Sequence, residues 1–225
     1  LTRWMADAWT IARKDLVLEL RSRERIVAML TFTVLVAVIF SFSLGPAVRA
    51  QDVAPAMIWV TIIFAGMLGL GRSFSLEKEE DALAGLLLAP VSREAVFVGK
   101  LAANFILLIV VVAAVFFAFA LFFPISFRGA WVAGGAVVVL ACIGFMTLGT
   151  FFSAITAHTR LGDTLLPVLL LPLLIPVVIF AAGATERLMA GRPASEIQGP
   201  LQMLLAFDLV FLFVCTLLFA FVVEE

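Results

Sequence analysis

Four carboxylates fall within five positions, at Glu77, Glu79, Glu80 and Asp81, and leucines follow at once in Leu83, Leu86, Leu87 and Leu88 before Pro90. Acids at the start of a short helix are favoured by its dipole, and Leu83, Leu86 and Leu87 share one face at helical spacing. Pro90 ends the segment because the residue before a proline is driven out of helical geometry. A helix of this kind is predicted to be a docking element. Its leucines need a groove, and its acids offer charged contacts to a partner. The blander alternative lays the leucines on the membrane or under a helical bundle. Docking is the favoured reading, because four acids beside anionic lipid would be repelled by it. Ser92 then caps a new helix with Arg93 and Glu94 in its first turn, running on through Lys100.

Chemistry elsewhere is sparse. His158 is the only histidine, Cys142 and Cys215 stand alone in apolar surroundings, and the methionines are scattered, so no metal or heme ligand set is apparent. Ser153 lies five residues before His158, a spacing that puts the two on different helix faces and argues against serine hydrolase chemistry. No glycine-rich nucleotide loop ending in Lys-Ser or Lys-Thr is present, so any ATP must be bound by another chain. The chain is predicted not to be an enzyme and to hold no cofactor of its own. Two polar residues interrupt apolar runs. Asn104, one turn after Lys100, is expected to join helices. Asp208 is expected about 9 Å into its span if that span opens near Gln202, at a cost of about 2.5–3.5 kcal/mol on insertion scales. It reads either as a gate or coupling group, or as a shallow residue that reaches headgroups or clamps two helices.

The elements that must position these residues are membrane spans. Residues 26–48, 53–71, 101–127, 129–157 and 164–185 carry no charge, and residues 197–223 carry only Asp208. A hydrocarbon core of roughly 30 Å takes about 20 helical residues, so six transmembrane helices are predicted. With 64% hydrophobic and 14% charged residues and a mean hydropathy of +1.20, a soluble domain of 225 residues is excluded. Lys and Arg divide eleven to four between alternate sides of these spans, which puts both termini, the 72–100 loop and the 158–163 loop in the cytoplasm. A cleaved signal peptide is not expected.

Residues 1–25 read as an amphipathic interfacial helix, with Met5, Trp9, Ala12, Leu16 and Leu20 on one side and Arg3, Asp7, Thr10, Lys14 and Arg21 nearer the other. It reads as an anchor for the first span, as a cuff that also contacts a cytoplasmic partner, or as both. Residues 26–225 are predicted to form one six-span transmembrane domain, with residues 72–100 as its larger cytoplasmic loop. Pro167, Pro172 and Pro176 are expected to bend or loosen span five. Gly66, Gly69 and Gly71 in span two, and Gly144, Gly149 and Ser153 in span four, permit close helix approach.

The acidic run, Phe74-Ser75-Leu76-Glu77 before it, Gly85-Leu86-Leu87-Leu88-Ala89-Pro90-Val91-Ser92-Arg93 after it, and then Gly99-Lys100-Leu101 together resemble the heme exporter protein B (CcmB) family. Arg13-Lys14-Asp15-Leu16 and six spans in about 220 residues reinforce the resemblance. It implies an ABC-2-type permease subunit of the bacterial cytochrome c maturation complex, dimeric, in the inner membrane, docked through residues 77–90 onto the ATP-binding subunit CcmA. CcmC and CcmD would be its membrane partners, and the heme chaperone CcmE its client. Heme would be substrate rather than cofactor. The lack of tyrosine and the single histidine depart from a typical heme pocket, and favour heme coordination by partners. ATP-driven closure would push the helix around Leu83 to Leu88, and the flanking links would pass the motion to spans two and three. The output is heme movement or release of the loaded chaperone. Three other readings share parts of this pattern: an ABC-2 exporter of glycan, lipid or drug, a membrane scaffold, and a secondary transporter, the last poorly served by one intramembrane acid.

Overall fold

A chain this apolar must satisfy its backbone hydrogen bonds within each segment, and helices do so without help from water. The computed structural model describes residues 2–44, 50–70, 91–123, 130–157, 159 and 162–222, and among these the regular structure is helical throughout. In chain order the α-helices are α1 (Thr2–Ser22), α2 (Glu24–Ser43), α3 (Ala50–Leu70), α4 (Arg93–Phe122), α5 (Trp131–Ala157), α6 (Gly162–Met189) and α7 (Gln198–Val222). A 3-10 turn at Ala194–Ile197 precedes α7. Six of them, α2 to α7, are long and apolar enough to cross a membrane. The protein is an all-α, multi-pass membrane protein. The docking segment predicted at residues 77–90, with Glu77, Glu79, Glu80, Asp81, Leu83, Leu86, Leu87 and Pro90, lies outside the described residues, as does His158.

The spans are not equivalent. The apolar window of α3 is 67% buried and that of α5 56%, against 17% for α2 and for the last span. The bundle is therefore built around α3 and α5, with α2 and α7 on its outside. Glycines set how closely the inner helices approach. A Cβ on Gly66 of α3 would run into the Phe145 ring of α5, and one on Gly149 of α5 would run into Leu70 of α3. Dispersion across bare backbone replaces the hydrophobic effect as the source of cohesion here, because lipid tails are as apolar as the side chains. Aromatic contacts continue the packing outward, Phe97 of α4 against Phe219 of α7 at 5.1 Å and Phe40 of α2 against Phe119 of α4 at 6.5 Å. The three prolines of α6 lie inside one continuous helix rather than ending it.

The apolar side expected of α1 is divided, with Ala12 buried against the bundle and Leu16 half-buried. Met5, Trp9 and Leu20 are exposed, at 62%, 60% and 61%, and the buried stripe is Ala8, Ile11, Ala12 and Glu19. Small residues win because α1 lies directly on α4 at Gly99, where a Cβ would stand 2.7 Å from the Ala8 carbonyl oxygen and 2.9 Å from Ile11 Cβ. The bulky side chains Met5, Trp9 and Leu20 stay outside the bundle. Arg23 joins α1 to α2 with φ of 55°, a left-handed conformation that L side chains seldom adopt. One such residue turns the chain from α1 into the first span without a loop.

The α1–α4 contact has a direct test. Gly99→Leu should lift α1 from the bundle, giving a lower melting temperature in detergent and faster proteolysis within residues 2–22. Unchanged cleavage would mean that α1 is not held at Gly99.

Candidate functional site

Ionic side chains gather where α1 crosses the bundle, at the end formed by the starts of α2 and α4 and the ends of α3 and α5. Arg25 enters α2 one residue after Glu24, and its guanidinium is buried, with 8% of its side chain exposed. Nη1 lies 3.6 Å from Glu19 Oε2 of α1, itself 6% exposed, and Nη2 donates to Asn104 Oδ1 of α4 at 2.9 Å. An arginine has donors only, so the Asn104 carbonyl must face it and the amide must face away. That amide donates to Thr150 Oγ1 of α5 at 3.1 Å. Four helices are thus connected through Glu19, Arg25, Asn104 and Thr150. Gly69 of α3 makes room for the group, since a Cβ there would stand 3.2 Å from Arg25 Nε.

A second buried pair runs alongside. Lys100 of α4 has 1% of its side chain exposed, and its Nζ donates to Asp15 Oδ2 of α1 at 3.4 Å. Asp15 also meets Lys14 at 3.2 Å. Charges this deep are sustained only by partners, because attraction in a low-dielectric interior must offset their lost hydration. Spacing explains why α1 can supply both acids: Asp15 and Glu19 are four residues apart and share the face that begins at Ala8 and Ile11.

Local contacts anchor the two chain ends that flank residues 71–90. Ser153 Oγ of α5 donates to the carbonyl of Leu70, the last residue of α3, at 2.9 Å. On the other side Ser92 caps α4, its hydroxyl accepting from the Ala95 amide at 3.3 Å, with Glu94 in the first turn as its sequence implies. Arg93 is the first residue of α4 and half-buried.

Asn104 thus sits inside this network, in the helix-joining position expected of it. Asp208 does not. It lies ten residues into α7, about 15 Å along the helix rather than 9 Å, because α7 begins at Gln198 instead of near Gln202. At that depth it is buried at 4% exposure against Gly144 of α5. No pairing of Arg25, Lys100, Asp15 and Glu19 was read from the sequence, where Arg25 and Lys100 counted only among the basic residues beside the spans. The available signal was that Arg25 and Lys100 abut long apolar runs, and that two acids on α1 share a helix face. Among the described residues no three His, Cys, Asp or Glu side chains converge as a metal would need. A groove of about 890 Å³ between α1, α4, α5 and α7 is lined by Trp4, Val98, Leu101, Phe105, Leu212 and Thr216 among others. Its hydroxyl, on Thr216, is spent on the Leu212 carbonyl at 2.6 Å.

Six helices long and apolar enough to cross a membrane, with α1 joined to them through buried charge, define a multi-pass membrane protein. Residues 6–225 match the CcmB protein family, and the chain belongs to it. It is similar to proteins called heme exporter protein B: 33% identical over 194 residues to that of Rhodobacter capsulatus, covering 85% of this chain and 86% of the relative. The Paracoccus denitrificans protein is 31% identical over 181 residues, covering 79% and 82%, and that of Escherichia coli K12 is 28% identical over 180 residues, covering 79% and 81%.

Removing one member of a buried pair strands the other, at a cost of about 3–5 kcal/mol, whereas replacing both with apolar groups is often close to neutral. Arg25→Met should therefore destabilise the protein by about that amount in mixed-micelle unfolding. The double substitution Arg25→Met with Glu19→Leu should recover most of the loss. Additive losses in the double variant would show that the two side chains do not act as a pair.

Proposed function

We propose that this chain is the membrane-spanning permease subunit of an ATP-driven complex for cytochrome c maturation, coupling ATP hydrolysis by a separate subunit to heme export or to release of a heme-loaded chaperone. The observation that carries the reading is membership of the CcmB family over nearly the whole chain, with relatives whose names state heme export. The distribution of basic residues supports a bacterial inner-membrane orientation with both termini and the α1 end in the cytoplasm. The partners implied are a CcmA-like ATPase, CcmC-like and CcmD-like membrane proteins and a CcmE-like chaperone, around a homodimer of this chain.

On this reading residues 77–90 are the docking lever, with Glu77, Glu79, Glu80, Asp81 and Arg93 meeting the ATPase by charge and Leu83, Leu86 and Leu87 filling its groove. Pro90 ends the lever. Motion enters through the two anchored ends, Leu70 held by Ser153 and α4 capped by Ser92. The buried network then passes it on, since Asn104 links α4 to α5 and Arg25, and Lys100 links α4 to α1. A rigid connection of this sort moves helices together instead of bending them separately.

Between the two outputs, reorganisation of the partner complex is favoured. Among the described residues the buried ionic side chains are confined to the α1 end and Asp208, and the large groove is apolar. Heme propionates crossing the spans would need polar groups that those surfaces do not offer.

Two measurements test the reading. Leu83→Asp with Leu87→Asp should leave membrane insertion intact and abolish copurification with the ATPase; normal recovery of the complex would refute the dock. Asn104→Leu should keep the ATPase bound yet lower cytochrome c yield severalfold, because the break lies downstream of docking. Full yield at normal protein level would remove the network from the coupling path.

A further inference from the structure

Asp208 sits where a carboxylate is least at home. Neither Oδ1 nor Oδ2 has a hydrogen-bond partner among the described residues, and the side chain is 4% exposed. Oδ1 stands 2.6 Å from the place a Cβ would take on Gly144, so the carboxyl fills the notch that this glycine leaves in α5. Asp208 belongs to the stripe of α7 that faces inward, Leu204, Asp208, Cys215 and Phe219, where every other member is an apolar packing residue or a thiol.

Among the described residues no cation is placed to balance it. The helix against it, α5, carries no charged residue from Trp131 to Ala157, and its ionisable side chain there is Cys142. Residues 101–122 of α4 and 164–185 of α6, which also pack on α7, carry none, and within α7 Asp208 is the one charged residue. Charged groups stand at the helix ends. Arg93, Glu94 and Lys100 begin α4, with Lys100 committed to Asp15, and Arg25 is committed to Glu19 and Asn104. Glu186 and Arg187 end α6, where Arg187 donates to the Glu196 carbonyl. An ionised carboxylate buried without cation or donor is far costlier than the neutral acid, and carrying a proton removes that cost.

We propose that Asp208 is a proton-binding site in the α5–α7 seam: the side chain rests there as the carboxylic acid, and the proton is the ligand that lets it be buried. A neutral acid both donates and accepts, and α5 carries a second unpartnered polar group about one turn beyond Gly144. Thr147, fully buried, carries a hydroxyl that also has no partner among the described residues. At about 100° per residue, Gly144, Thr147 and Thr150 form a stripe winding around α5. Gly144 faces Asp208 of α7 and Thr150 faces Asn104 of α4, which places Thr147 between those two directions. A row of small polar positions thus leads from the acid toward the network at the α1 end.

The test needs neither ATPase nor cargo, so its outcome is separate from that of the function proposed above. The full-length protein, labelled with 13C at the aspartate side-chain carboxyl carbons and placed in lipid bilayers at pH 7, is examined by infrared spectroscopy. The expected result is a carbonyl band of a neutral acid in the native protein that is missing from Asp208→Asn. Asp7, Asp15, Asp52, Asp81 and Asp163, which lie in α1, at span ends or between spans, should contribute carboxylate bands alone. A native spectrum in which every labelled aspartate appears as carboxylate overturns the proposal. If Asp208→Asn does not accumulate, Asp208→Ser takes its place, and an acid band that survives that substitution overturns it as well.

Discussion

A guanidinium cannot lose its charge, and Arg25 carries one into the interior of a bundle with few other buried ionic side chains. Much of the α1 end follows from that constraint. Glu19 must be close enough to balance it, which draws α1 down onto the spans; Asn104 must turn its carbonyl inward, which leaves its amide for Thr150; and Gly69 must remain bare so that the group fits. Lipid offers none of these partners, so the protein has to supply them from four different helices. The network is thereby a statement about geometry as much as about energy, because the contacts from Glu19 to Arg25, Arg25 to Asn104 and Asn104 to Thr150 are made together only in one arrangement of α1, α2, α4 and α5.

The same arrangement makes α1 part of the bundle. An interfacial helix that floated on headgroups could slide without consequence for the spans. Here Gly99 admits the α1 backbone to van der Waals distance of α4, Lys100 reaches Asp15 one residue further on, and Glu19 closes the contact at the other end of the helix. Met5, Trp9 and Leu20 are left outward, so α1 holds the spans with its small and acidic face. A displacement of α4 is then shared with α1, α2 and α5.

Elsewhere the bundle relies on shape. Gly66 and Gly149 let α3 and α5 approach through Phe145 and Leu70, and these two helices form the centre. Gly144 serves a different neighbour, the Asp208 carboxyl, so glycines of one span do two jobs. Packing through bare backbone gives stiff joints with few alternative arrangements, since a close-packed contact cannot deform gradually.

How much of this is legible in the sequence depends on whether solvent or neighbours decide. Span number, span length, a helix ahead of the first span, the Ser92 cap and the family resemblance are all readable from residues 1–225, because the hydrocarbon core imposes its length and polarity on each segment independently. Which face of α1 turns inward was not readable, since its bulky stripe and its small stripe are both apolar enough to pack and only the approach of Gly99 chooses between them. Nor could sequence distinguish Arg25 and Lys100, which are buried and paired, from the neighbouring Arg21 and Arg23, which are exposed. The depth of Asp208 likewise rested on where α7 begins, a matter settled by the turn at Ala194–Ile197. Local composition tells each helix that it must enter lipid; only the tertiary structure decides which of its few polar groups find one another, because a buried charge is stabilised by partners that come from distant parts of the chain.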